Sequence, residues 1–225
     1  MAPCGLAGPG IGVPTLKKIF PDVAKGELAE ILREYRGEYR NAHGKIVHTL
    51  RWKRPGSVWA IDYTKPPLPV DGRYPAIFMT RDLASAKQLL SLPVEAEGEQ
   101  ATIGALESLF VEYGAPLVVK ADNGGPVSGE AVQTLLSRRG VDILLSPANT
   151  PSYNGAVEAG NGSLKTRAHH ISAWQGRPGE WTCDDVEGAR LMANETATPN
   201  GLHGPTPDQS WDNRSPISTE ERAVF

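Results

Sequence analysis

The sequence predicts an α/β fold: a mixed five-stranded sheet with helices on both faces, plus a small N-terminal helical region. Three observations carry this. Segments rich in β-branched and aromatic residues come first, closely spaced, before any long core helix. From residue 100 onward, short apolar segments alternate with segments of helical periodicity. The 225 residues, 40% hydrophobic and 22% charged, suffice for one medium core and a small flanking region.

Residues 1–13 read as a flexible tail rich in Gly and Pro. Pro14 can open a short helix, Thr15 to Phe20, as a first-turn proline. After the turn Pro21-Asp22-Val23, a second helix from Lys25 to Asn41 places Leu28, Ile31, Leu32 and Tyr35 at helical spacing. Two helices and a tight turn suggest part of a helix-turn-helix unit. Arg33, Arg36 and Arg40 recur along one side of the second helix, where they would meet phosphates. A helical hairpin whose arginines simply face water satisfies the same pattern. Arg51 to Pro55 reads as a basic linker.

Val58 to Thr64 is the first strand, and Lys65 to Tyr74 is a loop. Pro75–Thr80 and Lys87–Val94 are two more strands, close enough together to be antiparallel. Gln100–Tyr113 is a helix with Ile103, Leu106, Leu109 and Phe110 on one face. Leu117–Ala121 is a short apolar strand, Gly129–Arg138 a helix and Val141–Leu145 a strand. The loop Ser146–Ser152 leads into a long helix, about Gly155–Trp174. A last helix, about Asp184–Thr196, starts at a capping box of Thr182 and Asp185. Three antiparallel strands followed by alternating strands and helices are the layout of ribonuclease-H-like domains. Residues 1–54 are expected to form the tail and basic helical region, 55–210 the core, and 211–225 a C-terminal tail.

Charge is unevenly spread. Residues 1–57 hold ten Lys/Arg and five Asp/Glu, whereas residues 58–225 hold thirteen and twenty-one, a net −8. A basic arm ahead of an acidic body suits phosphate binding by one part and cation binding by the other. Cys4 and Cys183 are far apart and lack CxxC spacing, which suggests a reducing compartment. The Gly- and Pro-rich start has neither the basic nor the apolar region of a signal peptide, and apolar runs are too short to span a bilayer. A soluble cytoplasmic protein with no membrane partner is expected.

Three acids stand out by context. Asp62 lies near the end of the first strand, Asp122 just past the fourth, and Glu158 in the first turns of the long helix. Strand ends and the helix starts beside them are where α/β sheets gather functional groups. Three clustered carboxylates repel one another and suit two hard divalent cations, which would leave a site ready for a phosphate. An acid in such a place, taken singly, is more often a turn former or helix cap than a ligand. Asp71, Asp82 and Asp142 compete and are assigned to turns or surface.

Spacing and flanking residues, read together, give a resemblance. Thirty-five residues separate Asp122 from Glu158. Around the acids stand Trp59-Ala60-Ile61-Asp62, Asp122-Asn123-Gly124 and Pro151-Ser152-Tyr153-Asn154-Gly155-Ala156-Val157-Glu158, with Lys165 seven residues on. The stretch Asn200-Gly201-Leu202-His203-Gly204-Pro205-Thr206-Pro207 is similar to the end of such cores. Over about residues 55–210 the chain resembles the integrase catalytic core of retroviral integrases and bacterial insertion-sequence transposases. The resemblance implies a ribonuclease-H-like DNA transposase or integrase, with Asp62, Asp122 and Glu158 both catalytic and metal-binding. It also implies Mg²⁺ or Mn²⁺, two ions, transposon-end and target DNA as partners, an oligomer on DNA and a bacterial-type nucleoid location. A non-catalytic DNA-binding remnant and a ribonuclease-H-like nuclease are the alternative readings. Relative to such proteins, a short helix-turn-helix region without a basic C-terminal domain is expected.

On the long helix, Glu158, Asn161, Gly162, Lys165 and His169 share one face. Lys165 is the candidate contact to the DNA backbone, joined by Asn161 and by Asn154 beside the Pro147–Pro151 loop, a candidate lid. Gly160 and Gly162 admit either a close DNA backbone or tight packing on the sheet. His169 and His170, adjacent on a helix, point about 100° apart and do not suit one shared ion. Asn123 is read as a turn former or a group near the metals, and Trp59, Trp174 and Trp181 as core residues.

Overall fold

The computed structural model describes residues 10–43, 52–123, 125–146 and 155–225; the side chains of Arg40 and Asn41 lie outside this description. The chain divides into two compact units, Met1–Leu50 and Arg51–Phe225.

In the first unit, α1 (Val13–Ile19) and α2 (Lys25–His43) pack around Ile11, Leu16, Leu28 and Leu32, with Val13, Phe20, Val23 and Tyr35 alongside. Pro14 sits in the first turn of α1, where its missing N–H costs nothing. Ile31, expected on the apolar face, is 40% exposed; the stripe narrows to Leu28 and Leu32, one turn apart.

The second unit holds β1 (Val58–Thr64), β2 (Ala76–Asp82), β3 (Gln88–Val94), α3 (Glu99–Tyr113), β4 (Val118–Ala121), α4 (Glu130–Arg138), β5 (Asp142–Leu145), α5 (Gly155–Trp174), α6 (Cys183–Thr196), α7 (Pro207–Asp212) and α8 (Thr219–Val224). The five strands form one sheet in the order β3-β2-β1-β4-β5, antiparallel from β1 to β3 and parallel across β1, β4 and β5. It is the mixed five-stranded sheet read from the sequence.

The pleat sorts each strand's residues between two cores. Trp59, Ile61, Phe78, Val119 and Ala121 pack with Leu106, Leu109 and Phe110 of α3 and Val132 and Leu136 of α4. On the opposite face, Ile77 and Met79 pack with Leu164 and Ala168 of α5 and with Val186 and Ala189 of α6. The α6 helix starts at the expected capping box: the Thr182 hydroxyl accepts from Asp185 N, and the Asp185 carboxylate accepts from Thr182 N.

Trp174 corrects an expectation. It was read as core, and it is 91% exposed. It ends α5 six residues past buried Ala168, about 240° around the helix, so it points away from the sheet.

Two short helices were not read from the sequence. Both α7 and α8 carry capping boxes, Thr206 with Gln209 and Ser218 with Glu221. Trp211 of α7 is buried against Tyr113, edge to face at 5.4 Å between ring centroids, with the Arg214 guanidinium 4.0 Å from its own. Arg222 of α8 donates to the carbonyls of Ala115 (2.6 Å), Pro116 (2.9 Å) and Gly140 (2.8 Å). Arg54 pairs with Glu221 at 2.5 Å. The C-terminal segment is thereby tied to the loops flanking β4 and β5.

Among the described residues, no helix is long and apolar enough to cross a membrane.

Candidate active site

The parallel pairing of β1 with β4 sets the geometry. Val58 stands opposite Val118 and Ala60 opposite Lys120. Beyond the last pair the chain runs on two residues to Asp62 and to Asp122, and the charge of Asp122 acts on the Asp62 carboxyl. Side chains at 58, 60 and 62 point to the face opposite Trp59 and Ile61, and those at 118, 120 and 122 to the face opposite Val119 and Ala121. Both carboxylates therefore leave the sheet on the side that α5 covers. Residues sixty apart in sequence become neighbours through one strand pairing.

Asn161 of α5 donates from Nδ2 to Asp62 Oδ2 at 2.8 Å, and the Tyr63 N–H donates to Asp62 Oδ1 at 2.8 Å. Burial pushes the Asp62 carboxyl above its usual range; these two donors oppose that rise, and the charges of Asp122 and Glu97 add to it. Asp122 is exposed and accepts from the Ser146 hydroxyl at 3.0 Å, just past β5. Asn123 donates to the Ser146 carbonyl at 2.7 Å, so it ties the end of β4 to the end of β5. Lys120, 7% exposed, lies on the same face; burial lowers its pKa while Asp122 raises it.

Glu158 is exposed in the first turn of α5, one turn before Asn161 and about 4.5 Å from it along the axis. Among the described residues, no three His, Cys, Asp or Glu side chains are grouped closely enough to hold a metal ion. Asp62 and Asp122 are brought to one face, and Glu158 stands on the helix above without closing the set.

Three contacts seat α5. Asn161 reaches Asp62, Gln88 donates from Nε2 to the Gly160 carbonyl at 3.2 Å, and Arg81 Nη1 donates to the Ala156 carbonyl. Arg81 follows the register shift between Thr80 and Arg81 in the β2–β3 pairing. Gly160 is buried, and a Cβ there would meet Arg81 Nη1 at 2.8 Å. Packing therefore accounts for Gly160, whereas Gly162 has open space where its Cβ would be. Sequence reasoning missed Arg81, Gln88, Ser146 and Lys120. A lone charged or polar residue in a strand carries no periodic signal; only a register shift, invisible in one sequence, marks Arg81.

Lys165 is half-buried on α5, with His169 and His170 exposed beyond it. Asn154, Tyr153 and the Pro147–Pro151 loop lie outside the described residues. Arg33 is exposed and pairs with Glu30 at 2.9 Å. Arg36 is half-buried and donates to the Ile11 carbonyl at 2.9 Å, so part of its donor capacity serves the helical unit itself. Arg40 is not described beyond its backbone. Asp82, read as a turn residue, is fully buried and accepts from Gly56 N, Ser85 N and the Ser85 hydroxyl, which makes it a structural turn carboxylate.

The sheet order, the acids at adjacent parallel strand ends and the helix laid beside them define a ribonuclease-H-like α/β domain. No family model matches the sequence. The chain is 30% identical over 119 residues to the Gag-Pol polyprotein of Feline leukemia virus, a match covering 51% of this chain and 7% of that protein. It is 29% identical over 160 residues to the Pol polyprotein of Radiation murine leukemia virus (strain Kaplan), covering 70% of this chain and 26% of that protein. The chain thus spans a small part of the polyproteins it matches.

Among solved structures, the simian T-cell lymphotropic virus intasome in complex with a PP2A regulatory subunit, B56 gamma, matches 91% of this chain and 75% of its own, with TM-score 0.64 and 18% identity. The HTLV-2 integrase catalytic core domain in complex with magnesium, in dimeric form, matches 70% of this chain and 97% of its own, with TM-score 0.55 and 19% identity. The BIV integrase catalytic core domain matches 69% and 93%, with TM-score 0.55 and 20% identity. The sequence matches are retroviral Pol polyproteins, and the structural matches, retroviral integrases, share this fold.

Proposed function

We propose that this core is a metal-dependent polynucleotidyl transferase that cuts DNA ends and joins them to target DNA. What supports this reading is the parallel pairing of β1 with β4, observed as far as Ala60 opposite Lys120 and leading toward Asp62 and Asp122, beside a helix that carries Glu158 and is tied to Asp62 through Asn161. The donor set fits a hard divalent cation. It is all oxygen, and burial together with the Asp122 charge makes an unneutralised Asp62 carboxylate unfavourable. The relative solved with magnesium is consistent with that chemistry.

Asp62, Asp122 and Glu158 would hold the ions. Bound there, Mg²⁺ or Mn²⁺ supplies polarisation of an attacking oxygen and charge neutralisation at the leaving one. The chain's own residues position the reaction. Asn161 orients the Asp62 carboxylate, and Ser146 orients that of Asp122. Lys165, on the same helix as Glu158, takes a backbone phosphate. In the first reaction water attacks a DNA phosphodiester and leaves a 3′-hydroxyl; in the second that hydroxyl attacks a target phosphodiester and displaces its 3′-oxygen. Both are in-line phosphoryl transfers, so positioning and charge stabilisation dominate. Joining two ends to one target calls for several protomers, so the active form is a homo-oligomer on DNA.

The test is cleavage and strand transfer on labelled duplex DNA carrying the element's ends, with Mg²⁺ or Mn²⁺. Asp62→Asn, Asp122→Asn and Glu158→Gln are each expected to lower both activities at least about 10³-fold. Activity equal to wild type in any of the three sinks the assignment.

A further inference from the structure

We propose that Arg81, with Gln88 beside it, is a positioning residue: together they fix the roll of α5 about its axis and so hold Glu158 where a divalent cation shared with Asp62 and Asp122 can reach it. The inference rests on the proposed function and extends it to two residues outside the carboxylate set.

Arg81 and Gln88 stand opposite each other at the end of the β2–β3 pairing, and the register shift after Thr80 puts them there. In unbroken register Arg81 would face Leu89, which instead packs in the core on the α3 side. Both side chains cross to α5. Arg81 Nη1 donates to the Ala156 carbonyl, and Gln88 Nε2 donates to the Gly160 carbonyl at 3.2 Å. These carbonyls are one helical turn apart, and Glu158 lies midway between them in the chain. A helical carbonyl already accepts from the N–H four residues on, so the strand pair takes up second lone pairs. The grip is braced from behind. Arg81 Nε donates to the Ala86 carbonyl at 3.1 Å, and Asn194 of α6 exchanges two bonds with the Gln88 backbone, each 2.9 Å. Gly160 lets the guanidinium come this close, since a Cβ there would stand 2.8 Å from Nη1.

The grip sets a rotation. Asn161 ties α5 to Asp62 of β1, whereas Arg81 and Gln88 tie it to β2 and β3. One tether alone would leave the helix able to turn; tethers to three strands do not. A carboxylate about 5–6 Å from the helix axis moves about 1 Å for every 10° of roll. A site that binds an ion has to be held within about 0.5 Å, so a small roll is enough to spoil it.

As plain packing the pair is costly. Arg81 forms no ion pair among the described residues, and burial pulls its pKa down. A cation at the first turn of a helix also opposes the helix dipole. Gln88 Oε1 is buried without a partner. Next to them Ile77, Met79, Leu164 and Ala168 form an apolar layer, which apolar residues at 81 and 88 would simply continue. What the polar pair adds is a hold on the two carbonyls that flank Glu158.

The experiment reads Mn²⁺ binding to the whole chain from the electron paramagnetic resonance signal of the free ion. Arg81→Ala and Glu158→Gln are each expected to raise the Mn²⁺ Kd about tenfold, and the double variant no more than about twofold beyond either. Arg81→Lys, which keeps a donor on a long stem, is expected to recover part of the affinity. Gly160→Ala displaces the guanidinium without removing it and is expected to act as Arg81→Ala does; Gly162→Ala, facing open space, should leave the Kd unchanged. A merely structural role would weaken binding by the same factor in the wild-type and Glu158→Gln backgrounds. That result, or wild-type affinity in Arg81→Ala, overturns the positioning role and leaves the proposed function intact. Equal weakening by Gly160→Ala and Gly162→Ala overturns it too, because the cause is then the helix and not Arg81. Should Arg81→Ala lose its fold by circular dichroism, Gly160→Ala decides alone, and an unchanged Kd there overturns the proposal. Wild-type affinity in Glu158→Gln overturns Glu158 as a ligand, and with it the proposed function and this inference together.

Discussion

Gly160 and Gly162 sit two residues apart on one helix and are predicted to respond to alanine in opposite directions. Alanine in a helix interior is worth up to about 1 kcal/mol over glycine. At Gly162 the new Cβ meets nothing within 4 Å, so the variant should gain roughly that amount. At Gly160 the Cβ would stand 2.8 Å from Arg81 Nη1 and 3.0 Å from its Cδ. Arg81 is largely buried and held by Nε to the Ala86 carbonyl at 3.1 Å and by Nη1 to the Ala156 carbonyl. Its guanidinium has to swing away, and a charge-assisted hydrogen bond worth about 1.5–3 kcal/mol is lost. Set against the helix gain, Gly160→Ala should cost about 1 kcal/mol, and the two variants should differ by about 2 kcal/mol. Urea unfolding at constant m-value reads this directly; thermal scans should show a gap of about 4–8 °C. In an Arg81→Ala background, Gly160→Ala should turn stabilising. Equal stabilisation by both alanines in the wild-type background would refute the packing of Arg81 against α5.

Two further predictions follow from the electrostatics and the C-terminal strap. Asp62→Asn should stabilise the chelator-treated protein at pH 7. The Asp62 carboxyl is raised above its usual 3.8, chiefly by burial, so the folded state binds that proton more tightly than the unfolded state does. The stability this contributes is present at low pH and lost as pH rises through the folded-state value. The variant's advantage should therefore vanish below about pH 4, and a wild type more stable than Asp62→Asn at pH 7 in EDTA would contradict the sign. Arg222→Ala removes the donors of three carbonyls, those of Ala115, Pro116 and Gly140, and should cost about 2 kcal/mol, with faster proteolysis at the C-terminal end. A loss under about 0.5 kcal/mol would show that water replaces those bonds freely.

Much of this architecture was legible because its signals are periodic. Val-Trp-Ala-Ile at β1, the apolar face of α3 and the capping box of α6 announce themselves within ten or fifteen residues. The acids were singled out by a different route, through their spacing and flanking residues. What escaped depends on distant pairings. Trp174 looks like core in composition, and only the seating of α5 shows that its side chain points away from the sheet. The six-residue helices α7 and α8 are too short to show a stripe, so Trp211 gave no warning that it completes the α3 core. The bond from Arg36 to the Ile11 carbonyl likewise had no sequence signal, since charge on a helix face does not announce a contact to a carbonyl 25 residues away.

The pairing of β1 with β4 is the step on which the chemistry depends, and it is a sensitive one. Side chains alternate faces along a strand, so a slip of one residue between these strands would turn Asp122 to the α3–α4 side while Asp62 stayed under α5. The register is secured from outside the site. Val119 and Ala121 are packed into the core with Trp59 and Ile61, and β5 holds β4 from its other edge through four paired positions, Val118 to Ala121. Beyond the ladder, Ser146 N donates to the Ala121 carbonyl at 3.0 Å and the Ser146 hydroxyl reaches Asp122. The apolar core on one face thus sets the carboxylates on the other. This arrangement also accounts for a half-buried Asp62 beside the charge of an exposed Asp122: Trp59, Ile61, Val119 and Ala121 supply the burial that offsets a local electrostatic cost, a cost that a bound cation would remove.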